Sequence, residues 1–206
     1  VIHRMHKMIK TTTLPKFCRK INSIDEINNY FTVNLTNRYE RVRIIGDIHG
    51  CYTALQQAIT PWDEKTLYIF CGDYLERGIE NKEMIYEMMR LSTLPNTIML
   101  EGNHERHIAN FAFNSNLDHS KRFMKEVVAP IVKDMTKKDV ESLQRELRLF
   151  YKSLRQCYPF SLHGKKYLVS HAGLSYVPNM TFIATSTFIN GFGAYETNTV
   201  SYTHLT

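Results

Sequence analysis

The chain has 206 residues, 43% of them apolar and 22% charged. That is near the average for a folded globular protein, and it excludes a disordered chain, a collagen-like repeat and a small disulfide scaffold. The formal net charge is +6, and one domain is the default at this length.

The charge is concentrated at the front. Residues 1–43 hold nine Lys/Arg against three acids, which is the whole excess. A basic arm over residues 1–40 suits nucleic acid or another polyanion, yet no aromatic stacking pattern accompanies it. Charge alone therefore does not define a nucleic-acid protein. No apolar run approaches the ~20 residues that cross a bilayer, so no membrane span is expected. The basic residues between Val1 and Lys10 have no apolar core behind them, so no signal peptide is expected either. Cys18, Cys51, Cys71 and Cys157 show neither CxxC pairing nor zinc spacing. They read as reduced thiols of a cytoplasmic protein.

The elements follow in order. Ser23-Ile24-Asp25-Glu26 is a capping box that opens a short amphipathic helix. Arg41 to Asp47 reads as a buried strand, and Leu67 to Asp73, Thr97 to Asn103 and Lys166 to His171 have the same build. Each is a short apolar run that ends in a small residue and then a metal-capable side chain. Helical patterns at Thr53 to Ile59 and Asn81 to Leu91 separate the first three. Strand alternating with helix predicts a parallel sheet, with ligands bound beyond the carboxyl ends of the strands. Asp118 to Gln156 reads as a helical insert over the site or the sheet edge, with Thr136-Lys137-Lys138-Asp139 as a capping box inside it.

Four clusters carry the chemistry: Gly46-Asp47-Ile48-His49-Gly50, Gly72-Asp73-Tyr74-Leu75-Glu76-Arg77-Gly78, Gly102-Asn103-His104-Glu105 and His171-Ala172-Gly173. Taken singly each is a turn with a polar side chain. Four in a row, each at a strand end, make a mixed oxygen and nitrogen donor set suited to Mn, Fe or Zn. Asp73 is expected to bridge two divalent ions, with Asp47 and His49 on one and Asn103 and His171 on the other. Cys51, beside the first cluster, reads as a packed thiol, since nothing marks it as activated.

The clusters resemble the calcineurin-like metallophosphoesterases, and within them the phosphoprotein (Ser/Thr) phosphatases of bacterial and phage type, with their GDxHG, GDxVDRG, GNHE and HGG/HAG motifs. The resemblance runs from Gly46 to Gly173. It implies an α/β fold of two stacked mixed β-sheets flanked by helices, a four-layer sandwich, with the insert at about 118–156. It also implies the metal ligands Asp47, His49, Asp73, Asn103 and His171, with His104 as general acid and Arg77 on the phosphate. Two cations would hold the phosphoryl group while a hydroxide bridging them attacks, and His104 would protonate the departing alkoxide. A guanidinium at Arg77 would grip phosphate oxygens in a forked geometry.

Three departures from the pattern stand in the sequence. Glu76 occupies the place of the family's Asp that orients the acid histidine. The only histidine after His171 is His204, which no glycine precedes, and no arginine follows Arg155. These lead to the expectation of a metallophosphoesterase domain over 41–199, incomplete at its C-terminus, with a non-native tail over 200–206. The activity expected is a Ser/Thr protein phosphatase acting on a phosphoprotein or a small phosphoester. The alternatives are a diadenosine polyphosphate hydrolase, a nucleic-acid-end phosphatase and a truncated, non-catalytic binder of metal or phosphate.

Overall fold

A central strand buried on both faces organises the molecule. The computed structural model describes residues 31–114, 121–173 and 184–191, together with Glu26 and Asn29. The first sheet runs in the order β2 (Arg41–Ile45), β3 (Thr66–Phe70), β4 (Thr97–Met99), all parallel. Every residue of β3 is buried, as a near-continuous apolar run predicts. Because side chains alternate along a strand, Tyr68 and Phe70 face one way and Leu67 and Ile69 the other. The first pair joins the larger core with the helices; the second joins a smaller core with Tyr158, Phe160 and Leu35.

The helices α1 (Tyr52–Ile59) and α2 (Asn81–Ser92) are the crossovers between the parallel strands. Leu55 and Ile59 of the first, and Met84, Ile85, Met88 and Leu91 of the second, are buried against the sheet. The first helix stops at Thr60, whose extended backbone is what a following proline demands. Both helices begin and end within two residues of their expected bounds.

The second sheet has the order β1 (Val33–Asn34), β5 (Cys157–Leu162), β6 (Lys165–Ser170). It packs on the first through Tyr158 and Phe160. The turn joining β5 to β6 is His163–Gly164, both at positive φ, the conformation that two-residue hairpins require. Arg155 ties the two sheets together. Its N–H donates to Met99 and its carbonyl accepts from Glu101, at 3.0 and 2.8 Å.

The insert is helical but not continuous. Lys121–Phe123 and Ala129–Val132 flank a π-helical turn at Met124–Val128. After α3 (Glu105–Phe113), the long helix α4 (Lys137–Ser153) opens on the expected box, with Asp139 N–H donating to Thr136 Oγ1 and Thr136 N–H donating back to the Asp139 carboxylate. It packs on α3 and α2. Helix ends at Ser153 rather than Gln156, because Leu154 and Arg155 turn extended to join the sheets. A short helix α5 (Thr185–Asn190) closes the described chain, and Phe188 accepts a hydrogen bond from Ala172 N–H. Ser23 to Asp25 of the first capping box, and the tail with His204, lie outside the described residues; Glu26, Asn29 and Phe31 are helical. Among the described residues no helix is long and apolar enough to cross a membrane.

Candidate active site

Four loops meet where β2, β3, β4 and β6 end. The first delivers Asp47 and His49, the second Asp73 to Arg77, the third Asn103 and His104, and β6 runs directly into His171. Asp73 stands at the centre. Its Oδ1 lies 3.6 Å from His171 Nε2, and its Oδ2 lies 3.7 Å from Nε2 of both His49 and His104. Asp47 flanks it, 3.8 Å from His171 Nδ1 and 3.9 Å from His49 Nε2. Asn103 Oδ1 is 3.0 Å from His171 Nε2.

Two donor groups result: Asp47, Asp73 and His171, and His49, Asp73 and His104, each with ligand atoms within 4.8 Å of one another. Asp73 belongs to both. The contacts of Asp47 with His49 and of Asn103 with His171 follow the expected pairs, and the structure adds His171 beside Asp47 and His104 beside His49. The aim of His49 has a local cause. His49 adopts left-handed backbone, φ 48, and its ring Nδ1 lies 3.2 Å from the Leu75 carbonyl, to which it donates. That leaves Nε2 turned toward Asp73.

This set fits divalent cations. His49 Nε2 is buried with no hydrogen-bond partner, so its lone pair points between two carboxylates with nothing to satisfy it. The Leu75 carbonyl on the far nitrogen is the kind of support that fixes a ligating tautomer. His171 has the same arrangement, with Nδ1 2.9 Å from the Cys71 carbonyl. Carboxylate, amide and imidazole without thiolate suit Mn, Fe or Zn.

The remaining expected residues gather at one side. His104 Nδ1 donates to Glu76 Oε2 in a short contact, so the extra methylene of Glu76 does not break the link. Arg77 Nη2 donates to His104 Nε2 at 3.3 Å. Both Glu76 and Arg77 have positive φ, 73 and 63. Together with Asp73 at 52 and His49 at 48, four site residues hold backbone that costs a side-chain-bearing residue about 1–3 kcal/mol each. Such strain persists only where the surroundings fix it.

Those surroundings include residues that sequence reasoning passed over. Glu105, 0% exposed, accepts from the N–H groups of Asp73 at 2.8 Å, Gly102 at 2.6 Å and Tyr74 at 3.1 Å. Burial pushes its carboxyl up to about 8, against the pull of those donors. It stitches the second loop to the third. The loops can come this close because Gly72 and Gly102 lack side chains. A Cβ on Gly72 would sit 2.4 Å from Gly102 N, and one on Gly102 would sit 2.3 Å from Asp73 Oδ1. Asn81 holds the Glu76–Gly78 turn in the same way, through bonds to backbone. Glu105 had a signal in its adjacency to Asn103-His104; Asn81 had none. Burial and the Asp47 charge push the Cys71 thiol up to about 12, which makes it inert.

The calcineurin-like phosphoesterase family matches residues 40–200. The chain belongs to that family. It is 30% identical over 150 residues to serine/threonine-protein phosphatase 2 of Salmonella typhimurium, an alignment that covers 71% of this chain and 64% of that one. It is 28% identical over 107 residues to the serine/threonine-protein phosphatase PP2A-like PPG1 of Candida albicans, covering 50% of this chain and 25% of that one. A solved chain assigned as a diadenosine tetraphosphatase aligns with TM-score 0.47 and 22% identity over 73% of this chain and 58% of that one. This chain thus spans less than two thirds of the curated relatives' length.

Proposed function

We propose that the chain is a metal-dependent phosphomonoesterase whose substrates are phosphoserine and phosphothreonine side chains of proteins. The observation that carries this reading is Asp73, whose two carboxylate oxygens face different imidazoles, with the partnerless His49 Nε2 aimed at one of them. Asp47, Asp73, Asn103 and His171, with His49, would hold two divalent ions, manganese first and iron or zinc as substitutes. When bound, such ions neutralise a phosphoryl group and make a water acidic enough to attack it.

The chain's own residues do the rest. Arg77 grips phosphate oxygens with its forked donors. In drawing its guanidinium off His104 Nε2, a bound phosphate frees that nitrogen to carry a proton. His104 then donates it to the departing alkoxide, while Glu76 on Nδ1 fixes the tautomer and offsets the imidazolium charge. A cytoplasmic setting suits the free thiols of Cys51, Cys71 and Cys157.

The test is hydrolysis of p-nitrophenyl phosphate with Mn²⁺, followed by a phosphoserine peptide set against a dinucleoside tetraphosphate. Turnover of the peptide in preference to the dinucleotide supports the reading. Preference for the dinucleotide moves the enzyme to polyphosphate hydrolysis, and no turnover of any of the three leaves a non-catalytic binder.

A further inference from the structure

The turn that carries Glu76 and Arg77 is bracketed by one buried side-chain amide, and the geometry points to Asn81 as the positioning residue for both proton donation and phosphate grip. This rests on the phosphatase reading above. Asn81 is the first residue of α2 and only 5% exposed. Its Oδ1 accepts from Glu76 N–H at 2.9 Å, and its Nδ2 donates to the Gly78 carbonyl at 2.8 Å. The amide therefore brackets Glu76 and Arg77, the two consecutive residues in left-handed backbone.

Only a side chain with an acceptor and a donor on separate atoms can span both ends of such a turn. Gly78 N–H is shared between the Glu76 carbonyl, closing a three-residue turn around Arg77, and the His49 carbonyl, each at 2.7 Å, and Glu80 N–H donates to the Gly50 carbonyl at 3.0 Å. The bonds to His49 and Gly50 place the turn beside the first loop. The intra-turn bond closes it around Arg77, and Asn81 adds the one side chain that ties Glu76 N–H to the Gly78 carbonyl, so the winding that aims Glu76 and Arg77 depends on it. Both side chains end on His104, one at each ring nitrogen. Asn81 bonds to the backbone of Glu76 and Gly78, so it acts on His104 through its neighbours. Releasing the amide lets Glu76 and Arg77 relax toward right-handed backbone, swinging both away from the imidazole together.

The test compares Asn81→Ala with the parent in the full 206-residue chain. With the alkoxide of a phosphoserine peptide, protonation matters; with p-nitrophenolate it scarcely does. Asn81→Ala is expected to lower kcat on the peptide about 10-fold more than on p-nitrophenyl phosphate. In a Glu76→Gln background the added loss should shrink to about 3-fold or less, because residues acting through one another do not add. Asn81→Ser, whose single hydroxyl oxygen cannot reach both ends of the turn, should match Asn81→Ala in rate. Independently of turnover, the downfield His104 Nδ1–H proton resonance of the Zn²⁺-supplemented chain should be seen in the parent and vanish in Asn81→Ala. Equal losses on both substrates, full additivity with Glu76→Gln, or a His104 resonance unchanged in Asn81→Ala would overturn the proposal. A parent chain with no turnover removes the phosphatase reading alone, and the resonance then decides for or against Asn81. If Asn81→Ala has no cooperative melt, Asn81→Ser is judged by the same readouts.

Discussion

At Arg77 the side chain proposed to grip phosphate sits on backbone that would suit glycine better. The left-handed conformation, φ 63, costs a side-chain-bearing residue about 1–2 kcal/mol, and glycine's greater freedom in the unfolded chain returns about 0.4–1 kcal/mol of that. Arg77→Gly is therefore expected to melt at the parent's temperature or slightly above it, while KM for a phosphorylated peptide rises at least 10-fold. A clear drop in melting temperature would mean that the guanidinium contributes more to the fold than to phosphate. His104→Asn is expected to lose ~10²–10⁴-fold on a phosphoserine peptide and much less on p-nitrophenyl phosphate, measured as kcat at saturating Mn²⁺. Equal losses would remove it from the role of acid. Asp47, His49, Asp73, Asn103 and His171 were legible because glycine-flanked acids and histidines at four strand ends form a pattern in one dimension. Glu105 stood in the third cluster without a role, and Asn81 was not legible at all, since a side chain that bonds to backbone leaves no spacing behind it.

At the scale of elements, α4 shows what a local signal can fix. Its capping box was readable from Thr136 and Asp139, and both reciprocal bonds are present. Thr136→Ala should cost about 1 kcal/mol of stability in urea melts, with metal content and turnover unchanged, because the box lies away from the four loops. Thr136 also holds the Asp139 carboxyl below its ordinary value, first through its hydroxyl and then through its N–H. A depressed folded-state value stabilises above the unfolded value of about 4 and fades as pH falls through the lowered one. The parent should thus lose stability to acid slightly more steeply than Thr136→Ala. Strand β5 was hidden by Pro159, which argues against a central strand. The structure accommodates it because β1 pairs only with Phe160 and Ser161, so Pro159 lies beyond its reach. Helix α3 was hidden differently, since its first residues were read as part of a metal motif.

Across the whole molecule, the site lies at one end of the seam where two sheets pack on a shared smaller core. Asp47, Asp73 and Asn103 follow strands of the first sheet, whereas His171 follows β6 of the second. Ions bound there cross-link the two and should stabilise the native state. At a free concentration 100 times Kd one ion contributes about 2.7 kcal/mol, so chelation should lower the melting temperature by roughly 5–10 °C. His171→Ala should abolish most of that difference, while Asp73→Asn should abolish all of it. A melting temperature indifferent to chelator would show that the ligands hold no ion. The seam has a further consequence. A nascent or damaged chain whose first sheet has formed alone has three of the oxygen donors near one another but lacks the imidazole that the second sheet brings. If the four loops hold cations as proposed, cation uptake would report that both sheets have come together.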